Sequence, residues 1–158
     1  MNDPGVLPQI RDLLAAHGAS FREVHHEPTR TSEDSARARG EDLRTGGKAL
    51  LMKGDGEYRL FVLPADRKVD SSAIRRELGL RKLRFATPAE LAELTGLVPG
   101  SVPPFGRPVL PFELFVDSGI PGNERIAFNA GSLTDSIILA TADYLRVARP
   151  VRIFPFAS

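Results

Sequence analysis

The chain has 158 residues, a length that suits one domain, and its 42% hydrophobic and 26% charged residues are those of an ordinary globular protein. It contains no cysteine, which excludes a disulfide framework, a thiol nucleophile and cysteine-ligated zinc. The formal net charge is +1, so any contact with nucleic acid must come from local clustering rather than from overall attraction.

Leu7, Ile10, Leu13 and Leu14 recur at helical spacing after Pro4 and Pro8, and Gly18 marks a stop. The segment MNDPGVLPQIRDLL has neither the basic start nor the long apolar core of a signal peptide, and no run approaches the roughly 20 apolar residues of a membrane span, so a cytoplasmic location is expected. Thr31 caps a short second helix that runs to about Arg39 and ends at Gly40. Gly46 and Gly47 introduce Lys48, and two apolar runs, 49–52 and 58–63, flank Gly54-Asp55-Gly56 as a β-hairpin. Asp70 starts a third helix through Ile74 and Leu78, stopped by Gly79; Leu83 and Phe85 suggest a short strand. Thr87-Pro88-Ala89-Glu90 is a capping box with proline at the first helical position, and Gly96 closes that helix.

Residues 97–108 carry four prolines and two glycines and can hold no regular element. Strands are expected over 109–116, where Pro111 weakens the reading or places the strand at an edge, and over 126–129 and 136–139. Thr141 caps a last short helix, and 151–154 closes the sheet. Hairpins and short helices without strict alternation indicate an α+β fold around a mostly antiparallel or mixed sheet, in a single domain over 1–158.

Gly47-Lys48 does not belong to a phosphate loop, because Asp42 stands where its first glycine would be and Ala49 where Ser or Thr is needed. A lysine entering a buried strand either meets an anion or snorkels to water. Adjacent His25 and His26 point to opposite faces of a strand and His17 is the only other histidine, so no metal site is expected. No G-x-S-x-G elbow supports a catalytic triad. The loop at 97–108 is either a stiff connector or a set of preorganised amides for a carbonyl or phosphate oxygen. Asn129-Ala130-Gly131-Ser132 marks a bulge or a place where a ligand approaches the backbone. Between Asp66 and Arg84 seven basic residues face three acidic ones, either a solvated helix face or a nucleic-acid contact.

Taken in order, Thr31-x-Glu33-x-x-Ala36, Lys48-Ala49-Leu50, Lys68-Val69-Asp70, Phe85-Ala86-Thr87-Pro88-x-Glu90-Leu91, Leu94-Thr95-Gly96, Gly100-Ser101-Val102-Pro103-Pro104-Phe105-Gly106 and Phe128-Asn129-Ala130-Gly131 resemble the YbaK/ProX family. These proteins are free-standing relatives of the editing domain inserted in bacterial prolyl-tRNA synthetase. The resemblance implies a central mixed, partly barrel-like sheet and hydrolysis of the ester between a wrong amino acid and tRNA. It implies no cofactor and no metal, the work being left to a positioned water and the substrate's own ribose hydroxyl.

Carried onto this chain, the resemblance assigns Lys48 to the phosphate or ribose of the terminal adenosine. It assigns Gly100 and Ser101, with Val102, Pro103 and Pro104, to the loop whose amides hold the ester, and Gly131 to a close backbone approach. Thr31, Phe105 and Ser132 are candidates for the amino-acid pocket from the loops they occupy. Arg67, Lys68, Arg75, Arg76, Arg81 and Lys82 would face the acceptor stem of a mischarged tRNA. Cysteine-removing relatives carry Lys-Thr and alanine-removing ones Lys-Asn, whereas this chain has Lys48-Ala49, so serine, threonine or alanine is the expected residue removed. A synthetase or elongation factor as partner stays open. The rival reading is a non-catalytic module that binds tRNA ends or an aminoacyl-nucleotide and regulates a partner; a third is a general esterase.

Overall fold

The computed structural model describes residues 5–158; Pro4, placed ahead of the first helix by the sequence, lies outside them. The elements are α1 (Val6–Ala16), β1 (Phe21–His25), α2 (Ser32–Arg39), a 3₁₀ turn (Leu43–Thr45), β2 (Gly47–Gly54), β3 (Glu57–Pro64), α3 (Ser71–Leu78), β4 (Leu83–Phe85), α4 (Pro88–Thr95), β5 (Leu114–Asp117), β6 (Arg125–Asn129), β7 (Asp135–Ala140), α5 (Thr141–Ala148) and β8 (Arg152–Phe154). The local signals act as their chemistry requires. Thr31 Oγ1 accepts from the Asp34 amide at 3.0 Å and Asp70 Oδ1 from that of Ala73 at 3.1 Å. Thr87 and Glu90 close a reciprocal capping box. Asp55 and Gly56, both at positive φ, form the two-residue turn of the β2–β3 hairpin.

Two sheets result, with strand orders β1-β7-β6 and β4-β2-β3-β5-β8. The first is antiparallel throughout; the second is mixed, because β5 runs parallel to both β3 and β8. They meet where Gly46 bridges Ala127. Neither sheet closes, so the partly barrel-like form is not reached. On β3, Leu60 and Val62 face one core, shared with Ile10, Leu14 and Phe128, while Phe61 and Leu63 face a second, shared with Ile74 and Phe156. Burial on both faces explains why this strand reads as a continuous apolar run.

The structure differs from the sequence reading in three places. Phe21–His25 forms β1, paired with β7, where the sequence suggests a strand only around His25 and His26 and gives it no extent, and His26 lies beyond it. Its outer residues Arg22 and Glu23 are exposed, and the pairing comes from a partner more than a hundred residues away. The strand expected over 109–116 forms only at Leu114–Asp117, since the amides of Val109 and Leu110 turn back to the Gly106 carbonyl. It lies inside its sheet rather than at an edge, with Pro111 outside the strand. Ala140, not Thr141, is the N-cap of α5, and the Thr141 hydroxyl is buried without a partner.

Tyr58 donates to Glu90, and Arg84 grips the same carboxylate at 2.7 and 2.9 Å, fixing α4 and the loop after it to the five-stranded sheet. The Arg84 guanidinium, then the Thr87 amide and the Tyr58 hydroxyl, hold the Glu90 carboxyl far below the usual carboxylate range. A folded-state pKa below the unfolded one contributes stability that is complete above the unfolded value and is lost as pH falls through the folded one. Thermal unfolding followed from pH 7 to pH 3 should therefore show a smaller drop in midpoint for Glu90→Gln than for the parent. An equal drop in both would refute this.

Candidate active site

A cavity of about 410 Å³ opens between the start of β2, the N-terminal end of α2, and the loops around Pro99 and Leu133. Its floor is where the two sheets join, and the glycine pair makes that junction possible. A Cβ on Gly46 would sit 2.9 Å from the Ala65 Cβ, and one on Gly47 would sit 2.6 Å from Ile126 Cδ1. Lys48 follows at once and reaches the cavity half-buried. Its ammonium makes no hydrogen bond or ion pair with any described residue. Burial lowers its pKa from the ordinary lysine value, while the charges of Asp66 and Glu33 oppose the shift.

Three cations line the cavity, Arg30, Arg39 and Lys48, and among the described lining residues there is no aspartate, glutamate or histidine. Arg39 is 8% exposed. Its guanidinium donates to Ser136 Oγ at 2.9 Å, to Asn129 Oδ1 at 3.0 Å and weakly to the Ala127 carbonyl at 3.5 Å. Burial pushes its pKa down to about 10, with Glu41 opposing. Deeper in the wall, Thr29 and Ser35, 6% and 5% exposed, join their hydroxyls at 2.8 Å. Two hydroxyls carry two protons and their mutual bond uses one, so the pair keeps a donor for a third oxygen.

The proline-rich loop is held by its carbonyls. Asn129 Nδ2 donates to the Gly100 carbonyl at 2.7 Å, the Gly131 amide to that of Ser101 at 3.0 Å, and the buried Tyr144 hydroxyl to that of Pro104. Ser101 Oγ closes a local turn on Val98. The amides of Gly100 and Val102, both residues of the cavity wall, donate to no other described residue. Unused backbone amides of this kind can donate to an oxygen that carries negative charge.

Of the residues singled out by sequence, Lys48, Thr31, Gly100 and Val102 meet at the cavity. The others stand behind it or elsewhere. Phe105 is 1% exposed and packs edge-on against Phe128 and Tyr144, a core residue that anchors the loop rather than a pocket wall. Ser101, Pro103 and Pro104 are buried in the loop's own packing. Gly131, at φ +86°, lies against α1, where a Cβ would come within 2.8 Å of Val6. Ser132 donates to Asp135 Oδ2 at 2.7 Å, and His25 Nδ1 meets the other oxygen at 2.9 Å. The carboxylate thus stands between serine and histidine, so the imidazole cannot take the serine's proton and no triad is formed.

The basic residues divide. Lys68 and its neighbour Arg67 lie at the cavity end of the five-stranded sheet, Lys68 close enough for its charge to be felt by Lys48. Arg81 and Lys82 give their amides to Asp55 at the far hairpin tip, with Arg75 and Arg76 on the exposed face of α3. From Lys48 to that tip β2 spans six residues, about 20 Å. Sequence reasoning missed Arg39, Thr29, Ser35 and Leu133, and named Asn129 only as part of a loop. Nothing local marks them: Arg39 and Asn129 are 90 residues apart in sequence.

The cleft is cationic, bordered by two amides that no described residue uses, and among its described lining residues the side chains that could act on a ligand are hydroxyls, an amide, two guanidiniums and one ammonium. Residues 26–147 match the Aminoacyl-tRNA editing domain family. Over 151 residues the chain is 42% identical to the Multifunctional Ser/Thr-tRNA deacylase ProXp-y of Escherichia coli (strain K12), covering 87% of this chain and 85% of that protein. It is 31% identical over 127 residues to the proline--tRNA ligase of Bacillus licheniformis, 78% of this chain but 22% of that enzyme. A crystal structure described as a candidate trans-editing enzyme for prolyl tRNA synthetase superposes with a TM-score of 0.84 at 24% identity, covering 100% of this chain and 99% of that one. The chain belongs to the aminoacyl-tRNA editing domain family.

Proposed function

We propose that the protein is a trans-acting aminoacyl-tRNA deacylase that removes serine and threonine from mischarged tRNA. The observation that carries this reading is the cavity itself: three cations and no carboxylate for a nucleotide end, two free amides for an ester oxygen, and a hydroxyl pair for a β-hydroxyl side chain. The ammonium of Lys48 meets the phosphate or ribose of the terminal adenosine. The amides of Gly100 and Val102 take the acyl oxygen as it becomes an oxyanion. Water adds to the acyl carbon, the bond to the ribose oxygen breaks, and that oxygen leaves with a proton, giving free amino acid and intact tRNA. The vicinal ribose hydroxyl serves the proton transfer, since the described lining residues include no carboxylate or imidazole and Lys48 is engaged with the nucleotide. An aminoacyl ester is activated enough for positioning and oxyanion stabilisation to suffice.

Recognition of the amino acid falls to Thr29 and Ser35. A site built to bond a hydroxyl rejects the analogue without one more sharply than an apolar pocket separates a methylene, which is worth only about 1–3 kcal/mol. Arg67 and Lys68 stand where the acceptor stem would leave the cavity, and Arg75, Arg76, Arg81 and Lys82 would meet the RNA only farther along it. Among the described residues no helix is long and apolar enough to cross a membrane, and the proposed place of action is the cytoplasm, on tRNA that is free or handed over by a synthetase or elongation factor.

Single-turnover hydrolysis of tRNAs carrying serine, threonine, alanine, cysteine and proline tests the reading. Serine and threonine should be released fastest, and raising salt from 50 to 200 mM should weaken substrate affinity at least tenfold through lost phosphate contacts. Equal hydrolysis of simple seryl esters, insensitive to salt, would make the protein a general esterase instead.

A further inference from the structure

Arg39 is a charge buried without a carboxylate partner, an arrangement that costs stability unless it secures something else. What it secures is the orientation of one amide. A guanidinium can only donate, so it must face Asn129 Oδ1, at 3.0 Å. The Asn129 amide then has its Nδ2 turned the other way, onto the Gly100 carbonyl at 2.7 Å. Among side chains of this size only an amide accepts at one end and donates at the other; an aspartate in its place would satisfy Arg39 better and repel Gly100.

The remaining atoms of the cluster restrain Arg39 from the other side. Ser136 Oγ takes the Arg39 Nε–H and stands 2.8 Å from His26 Nε2, while His26 Nδ1 lies 2.9 Å from the Glu27 carbonyl. The guanidinium is therefore tied to β6 and β7, and through Ser136 to His26 just past β1, whereas Gly100 belongs to a loop outside both sheets.

We propose that Arg39, acting through Asn129, is a positioning residue that fixes the Gly100–Ser101 peptide plane and so aims the free amides of the two flanking peptides, those of Gly100 and Val102, at the reacting ester. This rests on the deacylase reading and adds to it a group that acts on the ester through another residue. The chain of contact is short: from the guanidinium to the amide, from the amide to the carbonyl of the Gly100–Ser101 peptide, whose own N–H is held by the Val98 carbonyl, and from that fixed plane to the peptides on either side, which carry the Gly100 and Val102 amides.

Asn129→Asp separates positioning from stability. The variant gives the buried guanidinium an ionic partner and removes the donor to Gly100. Its unfolding midpoint should equal or exceed the parent's, while single-turnover deacylation of seryl-tRNA falls by roughly 100-fold, the scale of a 1 Å misplacement. Exchange of the Gly100 and Val102 amides with deuterium should accelerate, a readout that does not depend on how the new carboxylate in the cavity wall affects binding. Arg39→Lys, which keeps the charge but cannot reach three acceptors, should show the same split, with deacylation falling while binding holds. If Asn129→Asp does not fold, Asn129→Ala takes its place under the same readouts. Deacylation within threefold of the parent, or a loss matched by the loss of folded protein, overturns the proposal. A parent that releases no amino acid overturns the deacylase reading instead, and the exchange rates then decide the role of Arg39 on their own.

Discussion

Lys48→Ala should abolish deacylation, by at least about 100-fold in single turnover, and leave the protein as stable as before. The side chain is half-buried, makes no ion pair, and carries an ammonium whose pKa is lowered by desolvation. Removing it relieves that desolvation and opens no hole in either core, so the unfolding midpoint should be unchanged or slightly higher. What disappears is the central cation of a cavity without carboxylates, and with it the contact that holds the nucleotide while the ester is attacked. Comparing the melting curve with the rate of serine release checks both halves. A variant that is stable and still hydrolyses at the parental rate would remove Lys48 from the mechanism.

The second large effect is expected at Gly100. It sits at φ +87°, where an L side chain costs on the order of 1–2 kcal/mol, and an added Cβ would lie 3.5 Å from Leu133 Cδ2. Space is adequate; conformation is not. Gly100→Ala should therefore destabilise the protein modestly while the peptide turns to relieve the strain. One free amide would be displaced from the ester oxygen, and losing one such donor typically costs about 2.7–4 kcal/mol of transition-state stabilisation. Deacylation should drop about 100-fold or more with the fold retained, measured by single turnover beside circular dichroism. A rate within threefold of the parent would show that these amides do not meet the oxyanion.

The elements easiest to read in the sequence were those whose cause lies within three or four residues. Thr31, Asp70 and Thr87 cap their helices through side-chain bonds to nearby amides, and the Asp55-Gly56 turn sets the hairpin register. The place of Lys48 at the cavity was equally legible from the glycine pair before a buried strand, although the reason Gly47 must be glycine is distant in sequence: a Cβ there would collide with Ile126. β1 was not, since its exposed Arg22 and Glu23 break the apolar pattern and its pairing depends on β7. The overlong strand at 109–116 failed for a different reason, the return of two amides to the Gly106 carbonyl, which no alternation of residue types announces.

Within the site the same division holds. The loop at 97–108 holds no helix or strand, as its prolines and glycines led one to expect, but which of its residues face the cavity depends on anchors far away in sequence. Tyr144 and Asn129 hold its carbonyls, so Phe105 falls into the core while Gly100 and Val102 reach the wall. Ser132 looked equivalent to them and is instead spent on Asp135. Thr29 and Ser35 are separated by the start of α2 and become a pair only when the helix turns them together.

The central claim is that this cavity breaks an ester rather than merely holding it. With the protein in excess over tRNA charged with labelled serine, the account predicts complete, first-order release of free serine at a rate that saturates with protein concentration, together with recovery of intact tRNA. Saturable binding with the serine still esterified to the RNA would contradict it and make the protein a module that recognises aminoacylated ends.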